Sequence, residues 1–455
     1  MVPMRLPTPL WVILGLFVVV CTVFNVKTPY REPGILMFQR DQTGQPQAIV
    51  DVGAPDERQH ANYIQHLKEG KGFPVFEKGS PDLGETYQSH QPPLYYVLGA
   101  GWSVISGSDP TSPDSGVKLR FLNTLIGCLT LIGVFFGAKW GLGRDDVGLA
   151  AAAFAGFLPM SVALHSAVSN DPLLICICTW ALALLTRGVQ LGWSTKLAVG
   201  VGLLIGLGML TKTSALILLP LAFFAFFLSS REHGEVARPG IKEWAAGLAL
   251  PLAIAAPWIA RNMSLYGEPF VLRTFKEGFT GSPQAAMFIE QLGPVTYWGN
   301  FVTWWTVRSF VGVFGYMDIF LFEKMGMERS GLIYMAILVL LFSIVLLGQM
   351  GLREFREYAE KNALPRVGWF QALHLTLLFL AIASLIRFNM DFFQGQARYI
   401  FPALASFGFL FAMGIIRIMG DRREHAWIGT LVIMLMLNVV SFMTIVEGFA
   451  VRTSG

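Results

Sequence analysis

The chain carries few charges for its length. Only 14% of its 455 residues are Asp, Glu, Lys or Arg, while 54% are hydrophobic. Soluble domains average about 25% charged residues, and here the apolar runs recur along the whole sequence with little polar sequence between them. The composition therefore excludes a soluble globule and predicts one membrane domain over residues 1–455.

Cysteine is scarce, and basic residues are scattered along the chain. All four cysteines stand inside apolar runs, without metal-ligand spacing; they are Cys21, Cys128, Cys176 and Cys178. The net charge is only +4, without a basic cluster. The sequence therefore indicates neither a disulfide framework nor a metal-binding motif, and no nucleic-acid partner, because such a partner requires concentrated positive charge.

Long apolar runs are abundant, and a membrane-spanning helix needs roughly 20 such residues. About eleven segments meet that requirement, which predicts an all-α polytopic membrane protein. They are 8–26, 120–140, 147–168, 172–186, 196–210, 213–229, 244–260, 331–349, 369–387, 400–417 and 426–446. The first is long enough to span and has no cleavage site after it, so we interpret it as a helix and not a signal peptide. The fifth and sixth are close enough to form one re-entrant hairpin instead.

Basic residues fall in alternate short loops, as the positive-inside rule predicts for a cytoplasmic N-terminus. These residues are Arg144, Arg187, Lys196, Arg231, Arg238, Lys242, Arg353, Arg356, Lys361, Arg366, Arg417, Arg422 and Arg423. The topology predicts a multi-pass protein of the plasma (inner) membrane. It places two long loops, 27–119 and 262–330, on the external face.

Both long loops contain features of a membrane interface. Residues 55–70 form an amphipathic pattern, and 91–107 are apolar but too short to span, so each predicts a helix lying in the interface plane. The second loop is rich in aromatic residues, including Trp298, Trp304 and Trp305. Anchoring at headgroup level explains these rings as well as substrate stacking does.

Carboxylates close to the membrane are the first candidates for chemistry, because buried charges are costly. Asp56 and Glu57 open the first interfacial helix, where they serve either as a helix cap or in catalysis. His60 follows one turn after Asp56 on the same helix face. Asp171, after Asn170, lies between two predicted spans and must be paired, hydrated or bound to a cation.

Further polar residues occur at predicted helix ends on the external side. Glu85, His90 and Gln91 precede a proline pair that fixes the chain as it re-enters the interface. Four more candidates, Lys212, Arg261, Arg398 and Tyr399, would surround a cavity with groups able to hold a phosphate. Snorkelling to the interface explains any single one of the basic residues.

In this order, the motifs resemble the GT-C fold glycosyltransferases. The resemblance is to the branch with the protein O-mannosyltransferases and the bacterial aminoarabinose transferases of lipid A. It rests on the acidic pair Asp56-Glu57, the string QPPLYY from Gln91, Asn170-Asp171, the turn LTKTS around Lys212, and the string from Trp258 to Pro269. Ordered motifs cover roughly residues 1–270; beyond them the likeness is mainly topological.

The resemblance implies an enzyme that moves a sugar from a polyprenyl-phosphate donor to a glycan, lipid or protein hydroxyl, with inversion. It gives Asp56 the role of base and Asp171 that of the second acid, and it allows a divalent cation near Asp171 or Glu57. Gln91 stands where some relatives have a phosphate-binding lysine. The donor phosphate is therefore left to Arg261, Arg398, Tyr399 or Lys212.

A transporter or flippase of lipid-linked sugars is the main alternative. Transporters place charged groups near the bilayer midplane and often contain internal repeats. The polar clusters of this sequence gather at one face instead of the midplane. Neither half of the sequence repeats the other. A scaffolding subunit would leave the clusters around Asp56 and Asp171 without a purpose.

Overall fold

A computed structural model describes residues 6–41, 43–231, 237–279, 284–350 and 367–453. Most of the described residues are helical. Its α-helices are α1 Thr8–Lys27, α2 Glu57–Lys68, α3 Leu83–Thr86, α4 Leu94–Ser106, α5 Gly116–Leu142, α6 Asp145–Phe157, α7 Pro159–His165, α8 Asp171–Leu191, α9 Thr195–Met209, α10 Leu218–Arg231, α11 Ile241–Tyr266, α12 Leu272–Gly278, α13 Ala285–Leu292, α14 Pro294–Thr296, α15 Trp304–Val311, α16 Met327–Met350, α17 Val367–Asn389, α18 Leu404–Met419 and α19 Ala426–Thr453.

The predicted all-α polytopic class is confirmed, but the count of eleven spans is not. Eight helices in the described residues are long and apolar enough to cross a membrane, or nine if a bent pair forms one span. Two of the differences between the predicted and the observed number of spans have clear causes. Helix α9 has only 15 residues, and the last two predicted spans lie in one helical run, Ala397–Thr453, joined through a short 3₁₀ turn.

The third predicted span is the bent pair. Helices α6 and α7 meet at Leu158–Pro159 with a bend of 68°, because proline removes a backbone donor and disfavours the helical conformation of the residue before it. Helix α6 is nevertheless buried at every position from Val147 to Phe157. It therefore forms the centre of the bundle.

Glycines let the central helices cross closely. A Cβ atom at Gly408 of α18 would lie 2.7 Å from the carbonyl oxygen of Ala151 in α6. The same replacement at Gly414 would overlap the backbone of Ile344, and at Gly202 the backbone of Ala246. Small residues at helix crossings are how membrane helices gain packing contacts.

The first long loop contains both predicted interfacial helices, which are α2 and α4. It also contains a small antiparallel hairpin that the sequence analysis did not predict, formed by β1 Gly34–Arg40 and β2 Pro46–Ile49. The placement of these helices in the interface plane stays a prediction.

The two long loops are joined through one carboxylate. A second short hairpin, β3 Val313–Phe314 with β4 Ile319–Phe320, ends the irregular part of the second loop. Its turn presents Asp318, which accepts the backbone N–H groups of Met37 and Phe38 at 2.6 and 2.8 Å and pairs with Arg452 at 2.8 Å. The two loops therefore contact each other and form one connected layer.

The membrane orientation stays a prediction. Four of the basic residues on which it depends, Arg353, Arg356, Lys361 and Arg366, lie outside the described residues. The remaining basic residues lie in the described part of the chain.

Candidate active site

Asp56 lies at the centre of the polar cluster. One carboxylate oxygen accepts a hydrogen bond from Arg398 Nη2 at 2.7 Å, and the other accepts one from the Tyr87 hydroxyl at 2.5 Å. Although Asp56 precedes α2, its side chain makes no capping bond to that helix. Its carboxylate therefore faces the cluster, which removes the helix-cap alternative.

Asp171 joins the same cluster through two cations. Lys212 Nζ lies 2.5 Å from one oxygen of Asp171, and Arg398 Nη1 lies 3.9 Å from the other. Lys212 and Arg398 also lie over the ring of Tyr399, at 5.7 and 5.3 Å from its centroid. The structure thus brings together two carboxylates, two cations and the two phenols of Tyr87 and Tyr399.

Local sequence explains where these groups stand. Asp171 begins α8 and is followed by Pro172, a residue suited to a first helical turn. Lys212 occupies the turn after α9, and the N–H of Leu94, just after the proline pair, donates to the Leu210 carbonyl at 2.8 Å. The proline pair therefore fixes the start of α4 against the lysine turn.

Glu57 faces away from this cluster. It is fully buried and accepts two bonds from Arg120, at 2.7 and 2.5 Å, and one from the Val168 N–H at 2.6 Å. Arg120 also donates to the carbonyls of Asn25, Thr28 and Pro29. Glu57, the residue after Asp56, is therefore bonded to the segment just before Asp171.

We expect Glu57→Gln to destabilise the protein strongly, because it leaves the buried Arg120 charge without an opposite charge to balance it. Breaking a buried ion pair costs about 3–5 kcal/mol, whereas an exposed pair is worth about 0–1 kcal/mol. Glu277→Gln, which breaks an exposed pair with Lys78, is the matched control. The midpoint of thermal unfolding in detergent measures both. Equal shifts for the two variants would contradict the structural role of Glu57.

A chain of hydrogen bonds joins three more predicted residues. Asn170 Nδ2 donates to Gln91 Oε1 at 3.3 Å, Gln91 Nε2 contacts His90 Nε2 at 2.9 Å, and His90 Nδ1 contacts the Tyr87 carbonyl at 2.5 Å. These directions agree when His90 is neutral with its proton on Nδ1. The chain runs from the start of α8 to Tyr87, the residue that bonds Asp56.

The remaining predicted residues lie around or away from the cluster. His60 is buried and contacts the Tyr96 hydroxyl at 2.9 Å. Glu85 pairs with Arg58 at 2.7 Å. Arg261 donates to the carbonyls of Phe73 and Pro74 and lies over Trp258. Glu85 and Arg261 thus have other partners, and neither side chain pairs with Asp56 or Asp171.

The ionisation of Asp56 follows from its neighbours. Burial raises its pKa, but the charge of Arg398 and the bond from Tyr87 outweigh burial and lower the pKa to about 2. Burial and the nearby Asp56 charge raise the pKa of Tyr87, so its proton stays on the phenol and donates to Asp56. Burial lowers the pKa of His60 to about 3 and that of His90 to about 4. Both imidazoles are therefore neutral at neutral pH.

The carboxylates do not form a metal site with their present partners. Glu57 and Asp171, the two ligands that the sequence allowed, are engaged by Arg120 and Lys212. Within the described ranges, no group of three His, Cys, Asp or Glu side chains stands close enough to hold a metal ion. In the cluster, each of the two carboxylates is paired with a cation.

Sequence reasoning missed Tyr87 and Arg120. Tyr87 lies between Glu85 and His90, in a segment already singled out, but a phenol carries no charge to mark it. Arg120 stands at the start of the second predicted span, and a charged residue beside an apolar run is a functional signal in itself.

A family model described as dolichyl-phosphate-mannose-protein mannosyltransferase matches residues 91–260. The matched segment is less than half of the chain and includes Gln91, Asp171 and Lys212, while Asp56 and Arg398 lie outside it. No curated protein sequence matches the chain.

Solved structures resemble the chain in fold. The Archaeoglobus fulgidus oligosaccharyltransferase in complex with zinc and sulfate aligns with a TM-score of 0.51 and 16% identity, over 94% of this chain and 53% of that one. ArnT from Cupriavidus metallidurans, bound to undecaprenyl phosphate, aligns with a TM-score of 0.49 and 14% identity, over 98% of this chain and 77% of that one. The chain thus spans about half the length of the archaeal enzyme. The family match and the shared fold confirm the predicted resemblance to the GT-C membrane glycosyltransferases, which use lipid-linked sugar donors.

Proposed function

We propose that this protein transfers a sugar from a polyprenyl-phosphate-linked donor to an acceptor hydroxyl at the external face of the plasma (inner) membrane. The observation that carries the proposal is the convergence of Asp56, Asp171, Lys212 and Arg398. A transfer of this kind needs a proton acceptor beside a site for a departing phosphate, and this cluster contains both. The matched family model, named for a lipid-phosphate mannose donor, supports the donor class.

The chemistry is a single displacement. The acceptor oxygen attacks the anomeric carbon, the bond from that carbon to the phosphate oxygen breaks, and its electron pair stays on the phosphate. One displacement inverts the anomeric carbon. Asp56 takes the acceptor proton as the new bond forms, while Arg398 and Lys212 stabilise the charge that grows on the phosphate.

The ion pairs in the cluster explain how donor and base are coupled. With Arg398 on Asp56, the carboxylate is a weak base because its pKa is about 2. A donor phosphate competes with the carboxylates for Arg398 and Lys212. When Arg398 turns to the phosphate, Asp56 loses the charge that lowers its pKa, and its basicity rises when the donor is in place.

Donor turnover tests the function. The protein in lipid nanodiscs is incubated with radiolabelled mannose linked to polyprenyl phosphate and with membrane extract as the source of acceptors. We expect the label to leave the lipid donor and free polyprenyl phosphate to accumulate. If the intact donor instead crosses the bilayer of proteoliposomes and keeps its sugar, the protein is a transporter and the proposal fails.

The external position of the site is part of the proposal. Cysteines placed at two exposed positions, Thr111 and Arg422, distinguish the two faces of the membrane. We expect an impermeant maleimide to label Thr111→Cys in intact cells and Arg422→Cys only after permeabilisation. Labelling in the opposite order would move the site to the cytoplasmic face.

A further inference from the structure

Arg308 is a buried cation in the second long loop. It lies on α15, and only 8% of its surface is exposed. Its guanidinium lies over the rings of Trp304, Phe320 and Tyr334, at 4.5, 5.5 and 5.7 Å from their centroids. Its Nε is buried without a hydrogen-bond partner, and within the described ranges no carboxylate pairs with it.

Aromatic rings alone leave this side chain incompletely satisfied. Ring faces stabilise a cation, but they are weak acceptors for the five N–H donors of a guanidinium. Burying a charge without a paired and hydrogen-bonded partner is unfavourable. Consistent with this, burial lowers the pKa of Arg308. A bound anion would supply the missing acceptors.

The nearby carboxylates do not supply that anion. Asp318 is engaged by Arg452 and by the backbone of β1. Glu323 bonds Arg452 and the N–H of Phe320. Glu328 is exposed in the first turn of α16 and makes no ion pair with Arg308. An acceptor for Arg308 therefore has to come from outside the described chain.

The start of α16 lies beside the guanidinium. A Cβ atom at Gly331 would stand 3.0 Å from Arg308 Nη2 and 3.3 Å from the Trp304 ring, so the first turns of α16 contact the cation directly. Helix α16 has 24 residues, and the positive end of its dipole favours a negative group at this place. Two independent features therefore favour an anion here.

The surroundings indicate which anion. Trp304 is half-buried, as expected of a ring at headgroup level. Farther along α16, Leu332 and Met335 are exposed apolar residues, which suits contact with lipid tails. We propose that Arg308 and the start of α16 bind the phosphate of an anionic membrane lipid. This site is separate from the proposed transfer reaction and does not depend on it.

Lipid retention on the full chain tests the proposal. The purified protein is placed in nanodiscs of equal parts phosphatidylglycerol and phosphatidylcholine and then extracted with mild detergent, and retained lipids are counted by native mass spectrometry. We expect the wild type to retain phosphatidylglycerol preferentially and Arg308→Gln to lose that preference at least fivefold. Arg329→Gln, which removes an exposed charge from the first turn of α16, is the matched control and should keep the preference.

Two further variants cover the case in which Arg308→Gln does not fold. Arg308→Lys keeps the charge and should retain part of the preference. In Gly331→Ala the new methyl group would lie 3.0 Å from Arg308 Nη2, so the guanidinium has to shift slightly and the preference should fall in part. Unchanged retention in Arg308→Gln, or in Gly331→Ala if the former does not fold, would overturn the site. Thermal stabilisation of the delipidated protein by inorganic phosphate as strong as that by phosphatidylglycerol would overturn the lipid assignment.

Discussion

Asp56→Asn should reduce sugar transfer by about 10²–10⁴-fold, the usual contribution of a general base, while donor binding persists. The substitution keeps the size of the side chain but removes its basicity. Donor affinity should stay the same or rise, because Arg398 no longer has the Asp56 carboxylate as a competing partner. Single-turnover transfer and equilibrium binding of polyprenyl-phosphate mannose in nanodiscs measure the two effects separately.

Asp114→Asn is the control for this experiment, because Asp114 is an exposed acid in the same loop. It should leave both quantities unchanged. Full turnover by Asp56→Asn, with the donor bound, would remove this carboxylate from the mechanism. A parallel loss of donor binding would instead mean that Asp56 binds the donor or stabilises the structure of the cluster.

Arg398→Ala should lower both donor affinity and turnover. A cation on the phosphate binds it in the ground state, worth about 1.5–3 kcal/mol for a charged hydrogen bond. It binds more strongly as the leaving group gains charge, so we expect turnover to fall by roughly 10²–10³-fold. Lys212→Ala should behave in the same way, and Arg398→Lys should recover part of the affinity.

Arg261→Ala is the informative comparison. The sequence offers both Arg261 and Arg398 as candidates for the donor phosphate, so from the motifs alone either variant should lower donor affinity. The structure bonds Arg261 to the carbonyls of Phe73 and Pro74, away from the carboxylates, and we now expect a clearly smaller loss of donor affinity. Losses as large as those of Arg398→Ala would mean that the donor phosphate reaches Arg261 instead.

The sequence could predict most of the cluster because charge near a membrane is rare. Asp171, Lys212 and Arg398 adjoin apolar runs, Asp56 opens the first predicted interfacial helix, and the structure brings all four together. Pairing was harder to predict. Nothing in the sequence indicates that Glu57 turns towards Arg120 while Asp56 turns the other way, because this depends on Asp56 adopting a left-handed backbone conformation, with φ of 63°.

The limits of the fold prediction have a similar origin. Hydropathy reports how apolar a segment is, but a helix needs unbroken backbone hydrogen bonds as well. At Leu158–Pro159 the apolar run continues while the helix bends. Strands β1 and β2 have only seven and four residues, too short to stand out as membrane-spanning runs, and Asp318 bonds that hairpin from a loop more than two hundred residues away.

The pairing of Asp56 with Arg398 has a consequence for biosynthesis. The two residues are 342 positions apart in sequence, so a nascent chain presents the acid long before its cation exists. The centre can assemble only after the helical run from Ala397 has been made and inserted. In the proposed mechanism the growing polypeptide is therefore catalytically silent through most of its synthesis, and unfinished chains cannot consume the proposed lipid-linked donor.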